Sequence, residues 1–119
     1  MKPDSIPLLN LTIIDELKDI VEDSIYEIYH EYDITVSDVL SQLPASINEN
    51  NTDQLIQLSH TIKGSSGSIG LDRMKVISET IEHGLRNKED IDINTLVSQL
   101  IITFNKTIEA LKDSGLIKS

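Results

Sequence analysis

Apolar side chains recur every three or four residues along most of this chain, which is the spacing of one face of an α-helix. The clearest stripe is Ile25, Ile28, Tyr32, Val36, Val39, Leu43 and Ile47. Similar stripes occupy three later segments. No segment of useful length alternates apolar and polar residues as a half-buried strand does. The sequence therefore predicts an all-α protein.

The first two helices can be bounded from local signals. Thr12 can cap a short helix that ends near Val21. Pro44 falls inside the long stripe, so the next helix either ends near Leu43 or continues with a kink. The stripe keeps its phase through Ile47, which favours a kinked helix that ends near Asn48.

Three further helices follow, joined by short polar connectors. Asn51 or Thr52 can cap the third helix, and Gly70 suits its C-terminal end. The last helix is expected to begin near Asp92 or Asn94 and to end at Ser114–Gly115. The inward residues expected in these helices are Leu55, Leu58, Ile62, Ser66, Ile69, Met74, Ile77, Ile81, Leu85, Leu96, Leu100, Phe104, Ile108 and Leu111.

Short connectors favour antiparallel neighbours, so we predict an antiparallel up-down four-helix bundle with a short additional N-terminal helix. Residues 1–119 fit one domain, in which residues 1–10 form a leader where Pro3 and Pro7 discourage helix. We expect a monomer.

Composition excludes several classes of function. The chain has no cysteine, which excludes disulfides, thiolate zinc sites and cysteine nucleophiles. Its net charge of −10 argues against a nucleic-acid partner. No apolar run reaches the length of a membrane span and no signal-peptide pattern is visible, so we expect a cytoplasmic protein without a membrane partner.

One segment carries the candidate chemistry, Leu58–Gly70, which reads LSHTIKGSSGSIG. On a helix, His60 points about 170° away from the centre of the apolar stripe and so faces solvent. Lys63, Gly64 and Gly67 lie on the same side. Glycine inside a helix costs about 1 kcal/mol relative to alanine. We interpret these two glycines as keeping the surface beside the imidazole bare for a ligand or a protein partner.

A neutral imidazole is a good nucleophile near neutral pH, and an ammonium three residues away can offset phosphoryl charge. Ile56 extends the bare surface into a possible docking patch. An exposed histidine is more often an idle surface residue, and we interpret His30 and His83 in that way. The three histidines lack the spacing of metal ligands, so no metal site is expected.

The run His-x-x-Lys-Gly followed by Ser-Ser-Gly-Ser-Ile-Gly resembles the signature of bacterial histidine-phosphotransfer (HPt) domains. The likeness is closest to modules at the C-terminal end of tripartite hybrid sensor kinases and covers about Leu55–Leu85. It implies that His60 accepts a phosphoryl group, that Lys63 stabilises it, and that Gly64 gives access to a receiver domain.

The resemblance also brings in the next helix. The family often has a glutamine there that hydrogen-bonds the histidine, and the matching residue is Glu82. A carboxylate at that position would orient the imidazole and select its tautomer. Alternatively, Glu82 and Arg86 form an ordinary surface pair four residues apart.

The function implied is a relay of a phosphoryl group between receiver-domain aspartates through His60, with a hybrid sensor kinase upstream. Ile56, Ser59, Gly64, Gly67 and Arg86 would form the receiver-docking surface. The chain would need no cofactor of its own, because the receiver would supply Mg²⁺. It lacks the motifs of an ATP-binding domain, so we expect a phosphocarrier without kinase activity.

A different class of function stays open at this point. Some helical bundles dock on receivers or kinases without transferring a phosphoryl group, and they need the surface but not the nucleophile. A purely structural bundle is the third possibility, but it leaves the outward glycines unexplained.

Overall fold

The computed structural model describes residues 3–118, and every regular element in that range is helical. A 3-10 turn at Pro3–Ser5 precedes the first α-helix, and a second one at Glu22–Ser24 links the first two. The helices are α1 (Leu11–Val21), α2 (Ile25–Ser41), α3 (Leu43–Asn48), α4 (Thr52–Gly67), α5 (Asp72–Arg86) and α6 (Ile93–Asp113). In the same range no helix is both long and apolar enough to cross a membrane.

Side-chain caps start three of the helices. Asn51 and Asp92 accept the backbone N–H of the residue three positions on, as the sequence predicts for α4 and α6. The predicted cap of α1 is wrong. The helix begins one residue before Thr12, and the side chain of Asn10 accepts the N–H of Ile13 instead.

Pro44 interrupts the long stripe without ending it. Gln42 separates α2 from α3, and its backbone dihedral angles, φ −87° and ψ −15°, remain helical. Pro44 then occupies the first turn of α3, where its missing N–H removes no helical hydrogen bond. The stripe therefore continues through the break to Asn48, and the kinked alternative is confirmed.

The principal helices pack as antiparallel neighbours. On α2, Tyr29 donates to the carbonyl of Ile69 at 2.8 Å, and the hydroxyl groups of Tyr32 and Ser66 lie 2.7 Å apart. As residue numbers increase along α2 from Tyr29 to Tyr32, the numbers of their partners decrease from Ile69 to Ser66, so the two segments run antiparallel. Contacts between α4 and α5 and between α5 and α6 complete a four-helix bundle, with α3 continuing α2. The predicted fold class is confirmed.

The core is aliphatic, and the predicted stripes supply most of it. Ile28, Ile47, Leu85 and Leu96 are only partly buried, while the other stripe residues are buried. Tyr29 is fully buried although it lies outside the predicted stripe, and burial raises the pKa of its hydroxyl to about 12. Its hydrogen bond to the carbonyl of Ile69 gives the buried hydroxyl a partner.

The leader is tied to the turn between α4 and α5. Gly70, with φ +81°, closes that turn after α4 ends, and its carbonyl accepts the N–H of Asn10 at 2.7 Å. Asn10 also donates from its side chain to Asp72 at 2.9 Å, and Arg73 donates to the carbonyl of Ile6 at 2.7 Å. These bonds hold the turn between α4 and α5, and those two helices carry the candidate site. Met1 and Lys2 of the predicted leader lie outside the described residues.

Candidate functional site

His60 lies on the outward side of α4, and 58% of its side chain is exposed. Leu58 and Ile62 on either side of it are buried, so the helical period turns the residue between them away from the core. This placement agrees with the orientation predicted from the sequence.

The imidazole is held by the carboxylate of Glu82 on α5. Nδ1 of His60 lies 2.9 Å from Oε2 of Glu82. Nζ of Lys63 lies 2.9 Å from Oε1, and Nε of Arg86 donates to Oε2 at 2.9 Å. Only 5% of Glu82 is exposed. One buried carboxylate therefore joins the three polar side chains that the sequence singled out.

Two opposing effects set the ionisation of Glu82. Burial acts to raise the pKa of its carboxyl, because it disfavours the charged form. Hydrogen bonds from Lys63, Arg86 and His60 outweigh burial and lower that pKa to about 2. Glu82 is therefore a carboxylate at neutral pH. It is not an ordinary surface partner of Arg86, although the pair four residues apart does form.

The bond to Glu82 assigns the tautomer of His60. A carboxylate has no proton to donate, so the shared proton belongs to Nδ1 of the imidazole. In the neutral ring, Nε2 then carries the free lone pair. The ring is thus arranged with one nitrogen anchored to the protein and the other available as a nucleophile.

The surface next to His60 is open at Gly64. A Cβ atom built on Gly64 would meet nothing within 4 Å, so no packing contact in the described chain requires a glycine there. Ile56, on the preceding turn, is partly exposed. A bare position and an apolar side chain therefore lie within one turn of the imidazole on either side, as the sequence predicts.

Gly67 has a different environment from the one predicted. A Cβ atom there would lie 3.0 Å from Cδ and 3.4 Å from Cγ of Lys75 on α5. The side chain of Lys75 therefore lies over Gly67, and this position is less bare than the sequence predicts. Its small size makes room for the aliphatic part of the Lys75 side chain.

Ser59 does not belong to the docking surface. It is fully buried, because its position on α4 turns it toward the core rather than toward His60. Its Oγ has no hydrogen-bond partner among residues 3–118. The prediction that Ser59 contacts a receiver is wrong for this reason. Arg86, in contrast, is exposed at the edge of the site.

Of the other two histidines, His30 lies away from this cluster, and His83 lines the cleft beside Glu82. His30 lines a groove with Tyr26 and residues 116–118 at the C-terminal end. His83 is exposed, and Asn87 lies within hydrogen-bond distance of its ring nitrogens. No group of three His, Asp or Glu side chains in the described range is arranged to hold a metal ion.

Sequence reasoning missed two features of the site. The burial of Glu82 was not expected, although it follows Ile81 directly and Ile77 and Ile81 mark the inward face of α5. The contact between Lys75 and Gly67 was missed as well. No signal in the sequence reveals that contact, because it depends on the spacing between α4 and α5.

Comparison with known proteins agrees with this geometry. The family model described as "Hpt domain" matches residues 27–114. The solved structure of histidine-containing phosphotransfer protein B from Pseudomonas aeruginosa PAO1 superposes with a TM-score of 0.85 at 19% identity, and the match covers 91% of this chain and 94% of that one. At that identity the likeness shows a shared fold. No curated protein sequence matches the chain.

The lowered pKa of Glu82 predicts a pH-dependent contribution to stability. As pH falls from about 4.5 toward 2, the unfolded chain binds the proton at Glu82 before the folded protein does, so the free energy of unfolding decreases in that window. We expect Glu82→Gln to be less stable than wild type by about 1–2 kcal/mol at pH 7, since Lys63 and Arg86 stay partly hydrated.

Urea denaturation of both proteins between pH 7 and pH 3 measures this effect. Glutamine does not titrate, so the difference in free energy of unfolding between the two proteins should become smaller below pH 4.5. The other carboxyl groups affect both proteins alike. A difference that stays constant down to pH 3 would show that Glu82 is not held ionised by its three partners.

Proposed function

The chain belongs to the Hpt domain family, and we propose that His60 is the residue through which it performs the histidine phosphotransfer role of that family in a phosphorelay. The observation that carries the proposal is the bond between Nδ1 of His60 and Glu82, which leaves Nε2 free on the exposed edge of the ring. Neither His30 nor His83 makes a comparable contact with a buried carboxylate within the described chain.

The proposed transfer begins with the lone pair on Nε2. It attacks the phosphorus of an aspartyl phosphate on a receiver domain, the P–Nε2 bond forms, and the P–O bond to the aspartate breaks with its electron pair left on the carboxylate. The proton on Nδ1 stays in its hydrogen bond to Glu82 throughout. Transfer to a second receiver reverses these steps. The catalytic contribution of the chain is therefore positioning, together with neutralisation of charge.

Lys63 and Arg86 are the cations available to the phosphoryl group. Both lie beside the imidazole through their shared partner Glu82, and both are at least partly exposed. Each side chain is long enough to reorient toward a group attached to Nε2. We propose that Mg²⁺ is supplied by the receiver, and that the chain has no kinase activity of its own.

The surface around Gly64 is the proposed docking site for the receiver. Gly64 presents no side chain one turn from His60, where a Cβ atom would meet open space, and Ile56 offers an apolar contact one turn away on the other side. Hpt proteins exchange phosphate with receiver and kinase partners. We propose that this chain does so as a monomer in the cytoplasm, with a hybrid sensor kinase upstream.

Loss of the imidazole should abolish phosphorylation without unfolding the protein, because His60 is exposed and packs little against the core. We expect treatment with phosphoramidate to add one phosphoryl group to wild type, labile in acid and stable in base, and none to His60→Gln. Intact mass spectrometry measures the addition, and thermal unfolding of the variant checks the fold. Addition to both proteins would assign the reactive group to His30 or His83.

Gly64 provides a test of receiver access that is separate from the chemistry. We expect Gly64→Leu to accept phosphate from phosphoramidate within about twofold of wild type, but from a phosphorylated receiver roughly tenfold more slowly, a barrier of about 1.4 kcal/mol. Gly64→Ala is the matched control and should gain about 0.5–1 kcal/mol of stability from helix propensity. Equal receiver-dependent rates in Gly64→Leu and wild type would place the docking surface elsewhere.

A further inference from the structure

We propose that the negative charge of Glu82 keeps the phosphorylated form of His60 labile, so that this carboxylate, as a positioning residue, sets how readily the phosphoryl group is passed on. The inference rests on the proposed function of His60 and concerns the same site. It stands on the geometry of a buried carboxylate with three donors, each 2.9 Å away.

The proton on Nδ1 of His60 affects how easily the phosphoryl group leaves Nε2. When the lone pair of Nε2 forms the bond to phosphorus, the ring retains the Nδ1 proton and becomes a cation. A phosphoryl group leaves a cationic ring more easily, because the electron pair of the P–Nε2 bond then returns to a neutral imidazole. A carboxylate favours that cation, since hydrogen bonds between charged partners are roughly twice as strong as neutral ones.

The cations Lys63 and Arg86 affect the stability of the phosphorylated form as well. Before phosphorylation, the negative charge of Glu82 is matched against the positive charges of Lys63 and Arg86, which leaves one positive charge in excess. A phosphoryl group on Nε2 must compete with Glu82 for both side chains. Because the carboxylate is buried and the two cations are already paired with it, their stabilisation of the phosphorylated form is reduced.

Both effects make the phosphorylated form of His60 more labile, and the groups around the Glu82 carboxylate do not oppose them. The cleft beside Glu82 is lined by Lys63, Glu79, His83 and Arg86, which all belong to α4 and α5. Of these groups, Lys63 and Arg86 make ion pairs with the carboxylate. Glu79 is exposed to solvent and lies one turn before Glu82 on α5.

The test compares the lifetime of phosphohistidine in wild type, Glu82→Gln and Glu79→Gln, each labelled with phosphoramidate and freed of the donor. Loss occurs when water adds to phosphorus, the P–Nε2 bond breaks, its electron pair returns to Nε2 and inorganic phosphate is released. The glutamine at position 82 can still accept the Nδ1–H bond through its amide oxygen, so the change isolates charge from hydrogen bonding. The Glu79→Gln control removes one negative charge from the same cleft.

We expect the half-life near pH 7 to be roughly threefold or more longer in Glu82→Gln and unchanged within about twofold in Glu79→Gln. The pH at which loss slows to half its acidic rate should also be lower in Glu82→Gln, because the cationic ring loses its proton more easily. Altered packing alone would not move that midpoint. Equal half-lives in all three proteins, or a shorter one in Glu82→Gln, would overturn the inference.

If Glu82→Gln does not fold, the pH profile of wild type provides the second measurement. Its midpoint should lie above that of phosphohistidine in the urea-unfolded chain, and a midpoint at or below that value would contradict the proposal. Failure of wild type to take up phosphate at His60 would instead overturn the proposed function, so the two failures are distinguishable.

Discussion

The buried carboxylate of Glu82 is the interaction on which the site depends. A charged group with 5% exposure is stable only when donors surround it, and here they come from both α4 and α5. If either helix shifted by one residue, His60 and Lys63 would move away from the carboxylate. The register of this helix pair therefore determines which histidine nitrogen is anchored, which one is free, and where the two cations lie.

The rest of the fold holds that register. The buried hydroxyls of Tyr29 and Tyr32 tie α2 to the end of α4 and the turn that follows it. On the other side of the turn, Asn10 bonds to both Gly70 and Asp72, so the segment before α1 contacts each half of the α4–α5 connection. Bonds far from the imidazole thus fix the geometry at the imidazole.

Helical periodicity was enough to predict the bundle, because the inward stripe of each helix is nearly continuous in the sequence. The same periodicity placed His60 on the surface, and the resemblance pointed to Glu82 as its partner. Helical periodicity does not predict which side chains meet between two helices. Ser59 is expected at the docking surface but is buried, because adjacent helical residues point about 100° apart and the neighbour of an outward His60 can face the core. Gly67 was interpreted as bare because the approach of Lys75 depends on a helix spacing that one sequence does not contain.

The central claim is that Glu82 holds Nδ1 of His60 so that Nε2 reacts. Nitrogen NMR of the imidazole ring in ¹⁵N-labelled protein, before and after treatment with phosphoramidate, tests it most directly. We expect a proton on Nδ1 in the unmodified protein and coupling between phosphorus and Nε2 in the phosphorylated one. A proton on Nε2 in the unmodified ring, or phosphorus bonded to Nδ1, would contradict it.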